Sequence, residues 1–227
     1  LTMHDVLLIG GGAVGLSIAY ELAGRGKRVH VVERGELGGE SSWAGAGIVP
    51  PARENLADAP LMQLAGLSAR LHVEWAERLR RETGFDNCYS VTGALYLADG
   101  PETLAKAEGE LAPFRAQQLP CEPVDARRLA TLEPALAGAL DDGRLISGFH
   151  VPGEAQLRNP RHVRALVEAC LKRGVTLTTN APVEEFVVRG GRLVEVRTPG
   201  GVFAAEQYCL TTGAWSGKLG AELGLKL

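Results

Sequence analysis

A glycine-rich turn between two apolar stretches near the start of the chain constrains its fold most strongly. The apolar run 5–9 (DVLLI) leads into Gly10-Gly11-Gly12, and an alanine-rich stretch follows at 13–25. A second apolar run, Val29–Val32, is followed by the acid Glu33. This order predicts a strand, a tight turn, a helix, a strand and a terminal acid, which is the βαβ unit that binds dinucleotides.

The spacing of the glycines and of the acid indicates how a ligand would bind. Gly10, Gly12 and Gly15 fit the pattern G-x-G-x-x-G: the first glycine permits the turn, the second lets N–H groups approach a pyrophosphate, and the third allows close packing. The pyrophosphate is expected at the N-terminus of the following helix. Glu33 is placed to accept hydrogen bonds from ribose hydroxyls, and it would repel the 2′-phosphate of NADP. The pattern alone does not separate NAD from FAD.

Composition and charge exclude several other classes of protein. A chain of 227 residues with 45% hydrophobic residues and a net charge of −3 is typical of a soluble globular protein with one large or two modest domains. There is no basic run to bind nucleic acid, and no segment approaches the roughly 20 apolar residues of a membrane span. The four cysteines are widely spaced, which gives no support to a metal site and fits a reducing, cytoplasmic location.

The order of the remaining predicted elements indicates an α/β fold with an insertion. We predict a nucleotide-binding domain built from residues 1–86 and 151–227, the latter with an inserted β-hairpin, and a partial excursion at 87–150. The expected helices are 61–81, 101–114 with interruptions at Gly109 and Pro113, 126–132, a long helix capped by Asn159, and 214–223. The expected strands after the first βαβ unit are 91–98, 145–151, 175–179, 183–188, 193–198, 202–205 and 207–211.

Four segments are similar to the D-amino-acid oxidase superfamily of FAD-dependent oxidoreductases, with glycine oxidase the nearest in appearance. They are the glycine turn with its helix (IGGGAVGLSIAYEL), the pair Glu33-Arg34, residues 38–47 (GGESSWAGAG) and residues 212–216 (TGAWS). The resemblance implies a Rossmann-like FAD-binding domain of the glutathione-reductase type with a partial α+β substrate-domain insertion. It also implies an N-terminal fragment without the final third of the family's length, which carries the arginine that binds the substrate carboxylate. Gly213 would let its strand approach the cofactor.

The resemblance also implies which residues meet the adenosine and pyrophosphate of FAD. Ala13 and Val14 would face the pyrophosphate at the start of the helix. Glu33 would hold the adenosine ribose, and Arg34 would lie beside the adenine. Val183 would contact the adenine side through its main chain.

A second set of residues is implied for the phosphates and the flavin. Ser41 and Ser42 would donate hydroxyl hydrogen bonds towards phosphate, with plain helix capping as the alternative interpretation. Ala46, Gly47 and Ile48 would run along the flavin, where small residues let N–H groups reach the ring.

Residues outside these segments are expected to serve the fold. Trp43 and Trp215 are expected to pack rather than to act in catalysis, and His30, inside a strand, is expected to be a core or edge histidine.

The implied function is FAD-dependent oxidation of the C–N bond of a small amino acid such as glycine, sarcosine or a D-amino acid. A hydride would pass to flavin N5, and the imine would be hydrolysed to a keto acid and ammonia or amine, with molecular oxygen or another acceptor taking the electrons. No catalytic residue is evident in the sequence. Two alternatives remain, an NAD-linked dehydrogenase and a truncated FAD-binding module or subunit without activity of its own. Apolar faces left exposed in a partial fold predict a homo-oligomer.

Overall fold

The computed structural model describes residues 3–54 and 59–226, and it is an α/β structure, as the sequence predicts. The α-helices are α1 (Ala13–Gly24), α2 (Ser41–Ala44), α3 (Pro60–Thr83), α4 (Pro101–Ala116), α5 (Ala126–Leu132), α6 (Ala137–Asp141), α7 (Asn159–Lys172) and α8 (Ser216–Glu222). The β-strands are β1 (His4–Ile9), β2 (Val29–Val32), β3 (Ile48–Val49), β4 (Ser90–Val91), β5 (Ala94–Ala98), β6 (Glu122–Asp125), β7 (Ser147–Val151), β8 (Ala155–Gln156), β9 (Thr176–Thr178), β10 (Glu185–Arg189), β11 (Arg192–Thr198), β12 (Gly201–Phe203) and β13 (Ala205–Leu210).

The described residues form two units whose limits differ from the predicted domain boundaries at 86 and 150. The first unit contains residues 3–46, 77–87 and 158–226, and the second contains 47–54, 59–76 and 88–157. The second unit extends beyond the predicted excursion because β8 pairs antiparallel with both β3 and β4. These three strands are two residues long, so their pairing leaves almost no periodic signal in the sequence.

The first unit is built on a four-stranded parallel sheet with the order β13-β1-β2-β9. Strand β1 lies in the middle, with Ile9 beside Val32 of β2 on one side and beside Leu210 of β13 on the other. Because all four strands run in the same direction, their carboxyl ends meet at one edge of the sheet. Ligands bind at this edge in open α/β sheets.

Both faces of this sheet are covered, which explains why β1 and β2 are continuous apolar runs rather than alternating ones. On one face, Leu7, Ile9 and Val32 form a cluster with Val196 of β11, so the three-stranded sheet β10-β11-β12 packs there. Helices α1 and α7 pack against each other, and Cys170 of α7 donates to a main-chain carbonyl of α1. Leu7 and its neighbour Leu8, which point to opposite faces, are both fully buried.

The turn between β10 and β11 is as predicted, whereas the start of helix α7 differs from the prediction. Strands β10 and β11 are joined by Gly190-Gly191, both at positive φ, as expected for the predicted tight hairpin. The prediction that Asn159 caps the long helix is wrong. Arg158 is the N-cap residue and Asn159 is the first helical residue. The Asn159 amide lies instead against the α-carbon of Gly45, where a β-carbon would be 2.1 Å away.

The second unit contains the antiparallel sheet β5-β7-β6, with helix α4 packed on it through Leu111 and Phe149. The predicted strand 91–98 is divided at Gly93, which has positive φ. The predicted interruptions of α4 at Gly109 and Pro113 are wrong, since the helix is continuous to Ala116. Pro113 removes a single main-chain N–H near the end of the helix, which the remaining turns tolerate.

None of the helices within residues 3–54 and 59–226 combines the length and the apolar character that crossing a bilayer requires.

Candidate cofactor site

A cavity of about 650 Å³ opens at the carboxyl edge of the parallel sheet in the first unit. Its walls are the glycine turn with the start of α1, the loop after β2, and the segments that follow β9 and β13. Ten of the predicted site residues line it: Gly10, Gly12, Ala13, Val14, Glu33, Arg34, Ser41, Ser42, Val183 and Gly213.

The glycine turn brings three backbone segments too close together for side chains. Gly10 has φ +111°, and a β-carbon there would lie 2.5 Å from the carbonyl oxygen of Thr211. A β-carbon on Gly15 would lie 2.1 Å from the carbonyl oxygen of Gly10 and 2.7 Å from Oγ1 of Thr211. Thr211 itself donates to the Gly10 carbonyl at 2.8 Å. The first turn of α1 is therefore held directly against the ends of β1 and β13.

The carboxylate of Glu33 is held in the cavity wall by main-chain donors. Its Oε2 accepts from the N–H of Gly11 at 2.7 Å, and its Oε1 accepts from the N–H of Gly35 at 3.0 Å. An ionised carboxylate has about four acceptor positions, of which these bonds use two. Two positions remain for hydroxyl donors, which is what a ribose diol offers. The carboxylate therefore binds its own loop and stays able to bind a sugar.

The N-terminus of α1 is partly capped from a different helix. The first four N–H groups of a helix, counted from its N-cap residue, have no acceptor within it, and Oγ of Ser42 in α2 accepts from the N–H of Ala13 at 2.9 Å. Neither serine caps α2, whose N-cap residue is Glu40. The capping alternative thus holds for Ser42, but at α1. Since a hydroxyl can accept from Ala13 and donate elsewhere, this contact is compatible with phosphate binding.

Arg34 and Trp215 form a contact that the sequence did not indicate. The guanidinium carbon of Arg34 lies 3.7 Å from the centroid of the Trp215 ring, and Nη2 of Arg34 donates to Oε1 of Glu40 at 2.6 Å. All three side chains line the cavity. Trp215, predicted to be a packing residue, is 39% exposed. No periodicity or motif links Arg34 to a residue so distant in sequence.

The remaining predicted site residues lie elsewhere. Gly15 packs beneath the turn and is not among the described residues that line the cavity. Ala46 belongs to the first unit but does not line the cavity either, and Gly47 and Ile48 belong to the second unit. Ile48 is 60% exposed, and its strand β3 pairs with β8.

The titratable groups in the interior of the first unit are placed away from this cavity. Burial, with a smaller effect of His4, lowers the pKa of His30 to about 4, and its Nε2 lies 2.8 Å from Oγ1 of Thr178. Burial raises the pKa of the Cys170 thiol to about 12. Neither group has the properties of an acid–base catalyst near neutral pH. Within the part of the chain that the structure describes, no group of three or more His, Cys, Asp or Glu side chains is arranged to hold a metal ion.

Comparison with protein families identifies the source of this arrangement. The family model described as FAD dependent oxidoreductase matches residues 5–227. The chain belongs to this family. Its cofactor is FAD, which confirms the prediction of FAD and removes the ground for the NAD-linked alternative.

Similarity to individual proteins supports the same family assignment. The chain is 36% identical over 226 residues to glycine oxidase of Pseudomonas putida, covering 98% of this chain and 59% of the relative. The crystal structure of glycine oxidase from Geobacillus kaustophilus has a TM-score of 0.87 at 32% identity, covering 99% of this chain and 59% of that one. Iminodiacetate oxidase from Chelativorans sp. BNC1 has a TM-score of 0.78 at 29% identity, covering 98% and 58%. The chain thus spans less than two thirds of the length of these relatives.

The cavity fits the dinucleotide part of FAD on its own geometry. β-carbons on Gly10 and Gly15 would clash with main-chain atoms of Thr211 and Gly10, so only glycine fits there and the main chain of the turn lines the cavity. Helix α1 directs its N-terminus, which favours anions, into the same space. Glu33 offers two acceptor positions at the neighbouring strand end. The turn and the helix N-terminus match a pyrophosphate, and Glu33 matches an adjoining ribose.

Proposed function

We propose that the first unit binds the ADP part of FAD, and that the whole protein oxidises the C–N bond of a small amino acid, as the names of its glycine oxidase relatives suggest. The observation that carries the proposal is Glu33, fixed by two main-chain N–H groups beside a turn that excludes side chains. Cofactor binding is assigned to this chain. Amine oxidation is assigned to the complete protein, because the chain spans 59% of such a relative.

Five residues of the cavity have defined tasks in this proposal. Glu33 accepts from the ribose hydroxyls, and the N–H groups of Gly12 and Val14 meet the pyrophosphate. Ser42 accepts from Ala13 and donates to a phosphate oxygen. Val183 contacts the adenine side through its main chain. These groups position the cofactor and take no part in bond breaking.

The second unit is assigned to the flavin end of the cofactor and to the substrate domain. Gly47 and Ile48 supply main chain to the flavin, Ala46 supplies it from the end of the first unit, and the sheet β5-β7-β6 contributes to the substrate domain. FAD held there would supply an acceptor for the hydride of the substrate's α-carbon; the imine would be hydrolysed to a keto acid and ammonia or amine, and molecular oxygen or another acceptor would take the electrons. All four cysteines are free thiols, which supports a cytoplasmic location.

Anaerobic titration of the FAD-loaded protein with glycine, sarcosine, D-alanine and proline tests this proposal. The expected result is loss of the visible flavin absorption with at least one of these amines. Peroxide release in air then separates an oxidase from a dehydrogenase. If the complete protein binds FAD but no amine reduces it, amine oxidation is refuted and the alternative of an FAD-binding module without activity of its own is favoured. If FAD does not bind, the cofactor assignment is wrong.

A further inference from the structure

The contact between Arg34 and Trp215 joins two segments that lie on opposite sides of the central strand, the loop after β2 and the short 3-10 helix Gly213–Trp215 after β13. Arg34 follows β2 and Trp215 follows β13, and β1 lies between these strands in the sheet. With neighbouring strands about 4.8 Å apart, the two strand ends are separated by about 10 Å. The contact therefore passes over the end of β1, where the glycine turn begins.

The loop that carries Arg34 is anchored over the same turn. The N–H of Gly38 donates to the carbonyl oxygen of Gly11 at 2.9 Å, and Glu40 holds the guanidinium of Arg34 at 2.6 Å. The Arg34 and Glu40 side chains are 43% and 62% exposed. These two side chains and Trp215 line the cavity and are also exposed to solvent, so they lie at its rim.

We propose that Glu40, Arg34 and Trp215 form a strap across the cofactor groove that must open for FAD to enter or leave. This proposal rests on FAD binding in the cavity. The guanidinium and the indole are 3.7 Å apart, which leaves no space for a ring between them, so the ligand lies beneath the closed strap.

The strap controls rates rather than affinity. Exposed ion pairs and cation–π contacts are individually weak, and a strap closed about ten times more often than open corresponds to about 1.4 kcal/mol. Side-chain opening is fast compared with ligand exchange. The open fraction, about one tenth, therefore multiplies both the association and the dissociation rate constants of FAD.

The test measures both rate constants by stopped-flow flavin fluorescence in wild type and in Trp215→Leu. We expect each to rise about tenfold in the variant, while Kd changes less than twofold. Trp43→Leu is the matched control, because Trp43 is 60% exposed in α2 and is not among the described residues that line the cavity. Far-ultraviolet circular dichroism verifies that each variant is folded.

A second variant distinguishes the effect of loosening the strap from the effect of removing a charge. Glu40→Gln removes a negative charge near the phosphates, which alone would slow dissociation, whereas loosening the strap accelerates it. We expect faster dissociation, and no further increase in the double variant with Trp215→Leu beyond that of Trp215→Leu alone. The proposal is overturned if Trp215→Leu changes only the dissociation rate, if it changes neither rate, or if Glu40→Gln slows dissociation. Wild-type protein that binds no FAD overturns the proposed function, and the strap with it.

Discussion

Replacement of Glu33 by alanine affects both the free protein and cofactor binding, and the two effects can be measured separately. In the free protein the carboxylate accepts from Gly11 and Gly35, so the substitution removes two charge-assisted hydrogen bonds. Such bonds contribute about 1.5–3 kcal/mol each when well shielded. The site is partly exposed and water replaces part of the loss, so we expect the free energy of unfolding to fall by about 1–2 kcal/mol in total.

Cofactor binding loses a different pair of bonds. The two acceptor positions that the main chain leaves free on Glu33 bind the ribose diol, and their removal should weaken FAD binding by one to two orders of magnitude, at about 1.4 kcal/mol per tenfold. Flavin fluorescence titration gives Kd, and urea unfolding without FAD gives the stability. Both are measured at one temperature and ionic strength.

Glu36→Ala is the matched control, because Glu36 is an exposed acid that lines the same cavity. We expect this control to change Kd by less than threefold and to leave stability almost unchanged. Equal Kd values for wild type and Glu33→Ala, with only stability reduced, would refute the assignment of Glu33 to the ribose. Equal losses of affinity in both variants would show a general charge effect.

Three further results follow from packing and protonation. Gly15→Ala should lower the free energy of unfolding by about 1–3 kcal/mol in a urea titration, because its β-carbon would meet the fixed carbonyl of Gly10. Gly109 lies in a helix with open space around it, so Gly109→Ala should raise the free energy of unfolding by about 0.4–1 kcal/mol. Burial lowers the pKa of His30 to about 4 in the native state, so the unfolded state binds the additional proton and stability falls as the pH drops from 6.5 to 4. In urea unfolding across this pH range, the free energy of unfolding of wild type should fall by up to about 3 kcal/mol more than that of His30→Gln. The same dependence of stability on pH in both proteins would contradict this prediction. Burial raises the pKa of Cys170 to about 12, so a thiol reagent at neutral pH should label it only after unfolding, and rapid labelling of native protein would show that α7 opens.

The features that the sequence predicted are those that depend on neighbours in the chain. The glycine turn, α1 and the end of β2 at Glu33 follow one another within about 30 residues, and each carries a residue type that its backbone requires. Helix α5 has the predicted bounds 126–132, and the side chain of Asp125 just before it accepts from the N–H of Arg128 at 2.8 Å. Local hydrogen bonding fixes such boundaries without reference to the rest of the fold.

The features that the sequence did not predict depend on distant partners. Asn159 has the right chemistry for a cap, but its amide is drawn towards Gly45, so the helix begins one residue earlier than the cap would allow. Strand β8 is too short to show a period, yet it joins residues 47–54 and 155–157 in one unit. The Arg34–Trp215 contact arises only when β2 and β13 are placed on either side of β1.

Titration calorimetry with FAD, ADP and FMN tests most directly whether the cavity holds the ADP part of FAD. We expect FAD to bind with one molecule per chain, and ADP to bind more weakly at the same site and to compete with FAD. FMN, which lacks the adenosine that Glu33 is assigned to hold, should show no binding at the concentrations that saturate with FAD. Binding of FMN as tight as that of FAD, or failure of ADP to compete, would contradict the account.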